Sequence, residues 1–137
     1  MGYTARCHVA GPLVNQTLAI AAGGALGALL RFWVSSGVYA WLGRGFPYGT
    51  LAVNLLGSLA MGFLYILLIE RLALGAEWRA FALVGLLGAF TTFSTFSMET
   101  LELLDQAEYA KALANVVISV LACVAAAFAG VGLARQI

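Results

Sequence analysis

The feature that most constrains this chain is a series of four apolar runs, each long enough to cross a lipid bilayer as a helix. They cover roughly residues 13–42, 48–69, 81–104 and 112–134, and a spanning helix needs about 20 mostly apolar residues. Of the 137 residues, 9% are charged and 63% are hydrophobic, whereas soluble domains have about 25% and about 45–50%. The sequence therefore predicts a single all-α, multi-pass integral membrane domain over residues 1–137.

The few ionisable residues argue against several functional classes. The net charge is +1 and the Lys and Arg residues are scattered singly, so the chain offers no basic footprint for nucleic acid. The two cysteines, Cys7 and Cys123, form neither a disulfide framework nor a zinc cluster. The single histidine is His8, and no metalloprotease motif, phosphate-binding loop or nucleophile elbow occurs. We therefore do not expect an enzyme.

The basic residues that flank the runs leave the orientation in the membrane open. Four spans place both termini on the same side. That side would carry Arg6, Arg71, Arg79 and Arg135, and the opposite side would carry Arg44 and Lys111. Orientation follows the Lys/Arg imbalance of short loops, and this imbalance is small. It is compatible with one topology with cytoplasmic termini, and equally with insertion in both orientations to give an antiparallel homodimer.

A hydroxyl-rich segment lies in the middle of the third run. Residues 91–97 read Thr-Thr-Phe-Ser-Thr-Phe-Ser, and Gly85 and Gly88 precede them. Five hydroxyl residues in seven make a poor helix interior, so we predict a break in this helix. The alternative is a continuous helix whose hydroxyls bond back to the preceding turn. A break frees backbone carbonyls, which suit a hard cation such as sodium.

Two phenylalanines within this segment, Phe93 and Phe96, are three residues apart and would share a helix face. The edge of an aromatic ring is electropositive. Two ring edges turned toward a narrow path would attract a small anion without the tight binding that stops an ion from leaving. The alternative is that the pair packs in the protein core.

Further polar residues occur in the second and fourth runs. Asn54 stands in the uncharged second run, with Thr50 one turn earlier. Its amide either donates hydrogen bonds to an anion or forms an interhelical bond that contributes about 1 kcal/mol. Asn115, Ser119 and Cys123 follow one another at intervals of four residues in the fourth run. They form either a packing face or one wall of a water-filled track.

Three charged residues lie at membrane depth or close to these polar groups in sequence. Arg31 is well inside the first run, where it either snorkels to an interface or supplies positive potential to a vestibule. Glu99 and Glu102 follow the hydroxyl-rich segment. If a helix restarts after the break, these carboxylates favour its N-terminal end.

Two strings, taken together, resemble the Fluc (CrcB) family of fluoride channels. They are Gly49-Thr50-Leu51-x-x-Asn54-Leu55-x-Gly57 in the second run and Gly88-Ala89-Phe90-Thr91-Thr92-Phe93-Ser94-Thr95-Phe96-Ser97-x-Glu99-Thr100 in the third. Gly-Ala-Leu-Leu-Arg at residues 27–31 also fits the first span of that family. With the length and the number of spans in agreement, the resemblance covers essentially the whole chain.

The resemblance implies a passive, fluoride-selective channel that exports fluoride and relieves fluoride toxicity. It implies four transmembrane helices with the third broken mid-membrane, in an antiparallel, dual-topology homodimer with two pores. It also implies a structural sodium ion at the centre of the dimer. The expected location is the cell membrane, which in a bacterium is the inner membrane.

The same resemblance implies roles for particular residues. The backbone carbonyls of Gly88 and Thr91 would hold sodium. Asn54 would donate to fluoride, and Phe93 and Phe96 would be the aromatic residues of the pathway. Further polar residues are expected along the pathway or at its ends: Thr50, Ser94, Thr95, Asn115 and Ser119 along it, Arg31 near a vestibule and Glu99 near the far end.

Two other functions are alternatives to a fluoride channel. A small multidrug-type, proton-coupled antiporter also has four short spans and dual topology, but it needs a membrane-embedded carboxylate in the first span. That span contains Arg31 and no acidic residue here. A structural membrane subunit without transport would leave the hydroxyl-rich segment and the Asn54 amide unexplained.

Overall fold

The computed structural model describes residues 7–137, with side chains from residue 13 onward. Within that range the chain forms helices and short connections, and no strand. The helices in chain order are α1 (Cys7–Leu42), α2 (Tyr48–Tyr65), a π-helical segment (Ile66–Arg71), α3 (Ala76–Arg79), a second π-helical segment (Ala80–Leu87), α4 (Gly88–Phe90), α5 (Phe93–Asp105) and α6 (Tyr109–Ala134). Arg6, one of the residues in the orientation argument, lies outside the described residues, as do the side chains of Cys7 and His8.

Four helical stretches are long and apolar enough to cross a membrane. They are Leu13–Leu42, Tyr48–Arg71, Ala76–Asp105 and Tyr109–Ala134, and we call them the first to the fourth span. The predicted all-helical fold with four spans is thus confirmed. The third and fourth spans begin earlier than the apolar runs do, because residues such as Glu77 and Lys111 favour helix and extend it past the apolar boundary.

The second and fourth spans pack backbone against backbone. A Cβ atom added at Gly62 would collide with the Ala127 carbonyl oxygen, and one at Gly130 would collide with the Leu59 carbonyl oxygen. Small residues allow this approach, and close van der Waals packing is what drives helix association in a bilayer. The two glycines therefore fix α2 against α6, and these two helices form one side of the site described below.

The first span holds the N-terminal half of the third span in a similar way. A Cβ at Gly23 would meet the Phe81 carbonyl oxygen, and a Cβ at Gly27 would meet that of Leu86. Both contacts fall on the π-helical segment Ala80–Leu87. This part of the third span is therefore anchored to α1 immediately before the chain reaches the hydroxyl-rich segment.

The third span is interrupted at Thr91 and Thr92, within the segment where the sequence predicts a break. Thr91 has ψ 157° and Thr92 has φ −151° and ψ 116°, which are extended conformations. The interruption is narrower than the hydroxyl-rich segment, because α5 begins at Phe93. After that point a hydroxyl bonds back to the preceding turn, as when Ser97 Oγ donates to the Phe93 carbonyl at 2.9 Å. The third span is therefore not the continuous helix of the alternative, although the hydroxyl back-bonding that the alternative includes does occur after the break.

Candidate functional site

Asn54 on α2 binds the interrupted backbone of the third span. Its Oδ1 accepts a hydrogen bond from the Thr92 N–H at 2.8 Å, and its Nδ2 donates to the Thr92 carbonyl at 3.0 Å. The side-chain amide thus replaces the helical partners that the extended Thr92 has lost. A primary amide carries two N–H donors, and one of them is used here. The second hydrogen of Nδ2 is left for another acceptor.

Thr92 also starts the helix that follows. Its Oγ1 accepts a hydrogen bond from the Thr95 N–H at 3.2 Å, which makes Thr92 the N-cap residue of α5. A threonine at this position satisfies one of the free amide hydrogens at a helix start. Thr95 Oγ1 in turn accepts from Thr92 Oγ1 at 2.9 Å, and Ser94 Oγ lies 3.3 Å from the same oxygen. These three hydroxyls therefore hold the break in shape.

The break also changes the surroundings of the Gly88 carbonyl. In a continuous helix the Thr92 N–H would donate to the carbonyl four residues earlier, at Gly88. Here the Thr92 N–H donates to Asn54 instead, so the Gly88 carbonyl loses its helical donor. The Thr91 carbonyl is turned away from the helical direction by the extended ψ angle. Two backbone oxygens near the middle of the span are therefore available to other partners.

A cleft of about 440 Å³ lies beside the break, between α2, α5 and α6. Asn54, Thr91, Thr92, Phe93 and Phe96 line the part next to the break. The two phenylalanine rings are 5.2 Å apart between centroids and are tilted by 42°. Phe96 is buried, whereas 76% of Phe93 is exposed in the single chain. No Asp, Glu, Lys or Arg is among the residues that line the cleft, so any anion there would meet no charged side chain.

The predicted polar stripe on the fourth span is divided between two environments. Ser119 and Cys123 line the same cleft as Asn54. Asn115 is 1% exposed and lies outside the cleft lining. Its Nδ2 donates to Thr100 Oγ1 at 2.9 Å, and its Oδ1 accepts from Ser119 Oγ at 3.3 Å. Asn115 therefore connects α6 to α5 and holds the Ser119 hydroxyl at the edge of the cleft.

Thr50 and Glu99 form a second polar group, one helical turn away from the cleft. Glu99 Oε1 accepts a hydrogen bond from Thr50 Oγ1 at 2.9 Å and another from the Tyr39 hydroxyl at 2.7 Å. Near them lies a separate cleft of about 280 Å³, whose lining includes Tyr39, Glu99 and Arg44. Thr50 and Glu99 thus contact each other directly.

The remaining predicted residues lie elsewhere. Ser94 and Thr95 are exposed on the first turn of α5 and take part in the capping network, outside the cleft lining. Arg31 is half-buried in α1 and lines neither of the two clefts.

Two contributors to the site were not predicted from the sequence. Tyr39 lies in the first span and reaches Glu99, sixty residues later. Thr100 links α5 to Asn115 and donates to the Phe96 carbonyl at 2.7 Å. The sequence predicts no contact for either residue, because each acquires its partner through tertiary packing.

The chain is similar to one protein family and to several known proteins of that family. The family model "CrcB-like protein, Camphor Resistance (CrcB)" matches residues 18–131. A "Fluoride-specific ion channel FluC" of Methylococcus capsulatus is 59% identical over 119 residues, which are 87% of this chain and 52% of that protein. The chain thus spans about half the length of this relative.

Other relatives are covered almost completely. Proteins with the same name from Hydrogenovibrio crunogenus and Magnetococcus marinus are 50% and 53% identical, over 90% and 86% of this chain and 93% and 96% of their own lengths. The family match covers most of the chain and includes α2, the break and the greater part of α6. The chain therefore belongs to the CrcB family.

Proposed function

We propose that this multi-pass membrane protein is a fluoride-selective ion channel that lets fluoride leave the cell passively and so relieves fluoride toxicity. The relatives named above are called fluoride-specific ion channels, and the fold brings Asn54, Phe93, Phe96 and Ser119 together at one cleft. That cleft is the observation on which the proposal rests. The membrane potential would drive the anion outward, with about 2.3 kcal/mol per charge for each 100 mV.

The chemistry of the cleft suits an anion that holds its water strongly. A selective pathway must replace the hydration shell with donors of its own. The free amide hydrogen of Asn54 and the electropositive edges of Phe93 and Phe96 provide such donors without a fixed positive charge. Ser119 contributes a hydroxyl to the lining of the same cleft. Weak neutral donors of this kind allow the ion to leave as readily as it enters.

The pathway would continue from the cleft toward Thr50 and Glu99. Asn54 bonds to Thr92, and Thr50, one turn earlier on α2, bonds to Glu99 on the second turn of α5. The two helices therefore run side by side in opposite directions along this line. In this proposal Asn115 supports Ser119, and Ser94 and Thr95 support the break. Arg31 contributes positive potential toward a vestibule.

We also propose that two copies of the chain assemble as an antiparallel homodimer with two pores in the bacterial inner membrane. Large apolar side chains are exposed on several helix faces, including Phe93 and Phe128, and lipid or a second copy would cover them. The small imbalance of basic residues allows both orientations. Cross-linking in a membrane with tags at one terminus would separate antiparallel from parallel pairs.

Sodium is the cation that the freed carbonyls would suit, and we propose that it has a structural role. The Gly88 carbonyl has lost its helical donor and the Thr91 carbonyl is turned outward, so neutral oxygen ligands are available. A hard monovalent cation prefers such oxygens. The described residues contain no cluster of three or more His, Cys, Asp or Glu that could hold a metal ion instead. The backbone carbonyls of Gly88 and Thr91 from both copies would hold the ion. Thermal unfolding tests this proposal: the melting temperature should be higher in sodium than in N-methylglucamine.

The antiporter alternative is not favoured. Proton-coupled exchange requires a carboxylate that loads and releases protons within the membrane. The first span, Leu13–Leu42, has no Asp or Glu. Glu99 already accepts hydrogen bonds from two hydroxyls.

Fluoride efflux from liposomes tests the proposal. The purified protein is reconstituted in vesicles loaded with potassium fluoride, and efflux is read with a fluoride electrode after addition of a potassium ionophore. We expect rapid efflux of fluoride and none of chloride in the parallel experiment. An absence of fluoride efflux from folded protein, or equal efflux of both anions, would contradict the proposed function.

A further inference from the structure

The two oxygens of the Glu99 carboxylate differ in their hydrogen bonding. Its Oε1 accepts hydrogen bonds from Tyr39 and Thr50, at 2.7 and 2.9 Å. Its Oε2 is buried and has no hydrogen-bond partner in the part of the chain that the structure describes. A charged oxygen in such a place repels other anions and is costly to bury. The position of this carboxylate is therefore determined by the two hydroxyls on Oε1.

The ring of Tyr39 is itself fixed by its neighbours. It occupies the space that a side chain at position 49 would need, because a Cβ at Gly49 would collide with Cε2 of the ring. The guanidinium carbon of Arg44 lies 5.1 Å from the ring centroid, within the range of a cation–π contact. The Tyr39 hydroxyl is thus presented to Glu99 from a ring that has little freedom to move.

Glu99 is close to the proposed fluoride pathway. It follows Phe96 by three residues on α5, so both side chains point to the same side of the helix. Its hydroxyl partner Thr50 precedes Asn54 by one turn on α2. A carboxylate released from these hydroxyls would be able to turn toward Phe96 and place negative charge across the route of an anion.

We propose that Tyr39 is a positioning residue for fluoride conduction: its hydroxyl holds the Glu99 carboxylate against α1 and α2, and so keeps this negative charge to one side of the pathway. This inference rests on the proposed function. It assigns a role in conduction to the first span, which contributes no residue to the cleft beside the break. It also explains why a glycine stands at position 49, facing the ring.

The test is fluoride efflux from liposomes with wild-type protein, Tyr39→Phe, and Tyr39→Phe combined with Glu99→Gln. A hydrogen bond to a charged group is strong enough to change the population of restrained Glu99 carboxylate, relative to released carboxylate, about tenfold. We therefore expect Tyr39→Phe to conduct fluoride about tenfold more slowly. Glu99→Gln removes the charge that Tyr39 restrains. The double variant should therefore conduct faster than Tyr39→Phe alone, and this rescue is a result that a purely structural contact would not give.

Tyr65→Phe is the matched control, because Tyr65 is a half-exposed residue at the end of α2 and lines neither cleft. It should conduct at the wild-type rate. Wild-type efflux in Tyr39→Phe, or a double variant no faster than Tyr39→Phe, would overturn the role of Tyr39 while leaving the proposed function intact. Absence of efflux from the wild-type protein would overturn both. Thermal unfolding of all variants in detergent shows that rates refer to folded protein.

Discussion

Replacing Asn54 by alanine removes both hydrogen bonds that hold the broken backbone, and the cost can be worked out from the structure. The bonds to the Thr92 N–H and carbonyl measure 2.8 and 3.0 Å, and side-chain bonds of this kind in membranes contribute about 0.6–1.7 kcal/mol each. Thr92 is 8% exposed, so its two backbone groups would lose partners where water does not easily replace them. An unpaired buried group costs about 1–3 kcal/mol. Because these two terms describe overlapping losses, we expect a total destabilisation of about 2–4 kcal/mol.

The assay is equilibrium unfolding of the purified protein in mixed detergent micelles, followed by the fluorescence of its tryptophans. Ser58→Ala is the matched control, because Ser58 lines the same cleft from the next turn of α2. It should change the free energy of unfolding by less than about 0.5 kcal/mol. If the free energy of unfolding of Asn54→Ala is within about 0.5 kcal/mol of that of the wild type, then Asn54 does not stabilise the break.

Asn54→Asp adds a carboxylate at the cleft and should abolish fluoride efflux.

Three further predictions concern the break and its surroundings. Phe93→Ile and Phe96→Ile each remove an aromatic ring, and each should slow fluoride efflux by several-fold to about tenfold. Both variants should keep the gel-filtration profile of the wild type, and normal efflux in both would refute the aromatic contribution. Gly57→Ala places a Cβ against Cγ2 of Thr91 and should destabilise the protein by about 1–3 kcal/mol, whereas the control Gly132→Ala meets no atom within 4 Å and should be neutral or slightly stabilising. Thr91→Val keeps the backbone carbonyl and should retain any increase in melting temperature that sodium causes, whereas Gly57→Ala should lose this increase. If Thr91→Val also loses the increase, the Thr91 hydroxyl is a sodium ligand.

The sequence was sufficient for the spans and for the segment that contains the break, because both depend on local composition. Long apolar runs predict spanning helices wherever they occur. The pair Thr91 and Thr92 interrupts the third span because Asn54 provides partners for the Thr92 backbone groups. From the sequence, Asn54 was either an anion donor or an interhelical contact. The structure shows the contact to Thr92 and leaves one amide hydrogen for a ligand.

The fourth span shows why the remaining contacts could not be predicted. Residues at intervals of four drift around a helix by about 40° at each step, because a turn contains 3.6 residues. Over the two steps from Asn115 to Cys123 the drift reaches about 80°. Asn115 therefore faces Thr100 on α5, whereas Cys123 faces the cleft. A stripe that looks continuous in sequence is thus divided between packing and the cleft.

The contact between Tyr39 and Glu99 is a different case. Both residues are visible in the sequence, but one is in the first span and the other follows the break. Their meeting depends on how α1, α2 and α5 pack, and on the absence of a side chain at Gly49. No spacing along the chain carries that information.

The measurement that tests the location of the fluoride pathway most directly uses Cys123, which lines the same cleft as Asn54. In a Cys7→Ser background it is the single cysteine of the chain. Liposomes containing this variant are treated with methyl methanethiosulfonate, labelling is quantified by mass spectrometry, and fluoride efflux is measured before and after. If the cleft is the pathway, labelling should stop efflux, and a further Cys123→Ser substitution should make efflux insensitive to the reagent. Complete labelling of Cys123 with unchanged fluoride efflux would show that fluoride does not pass through this cleft.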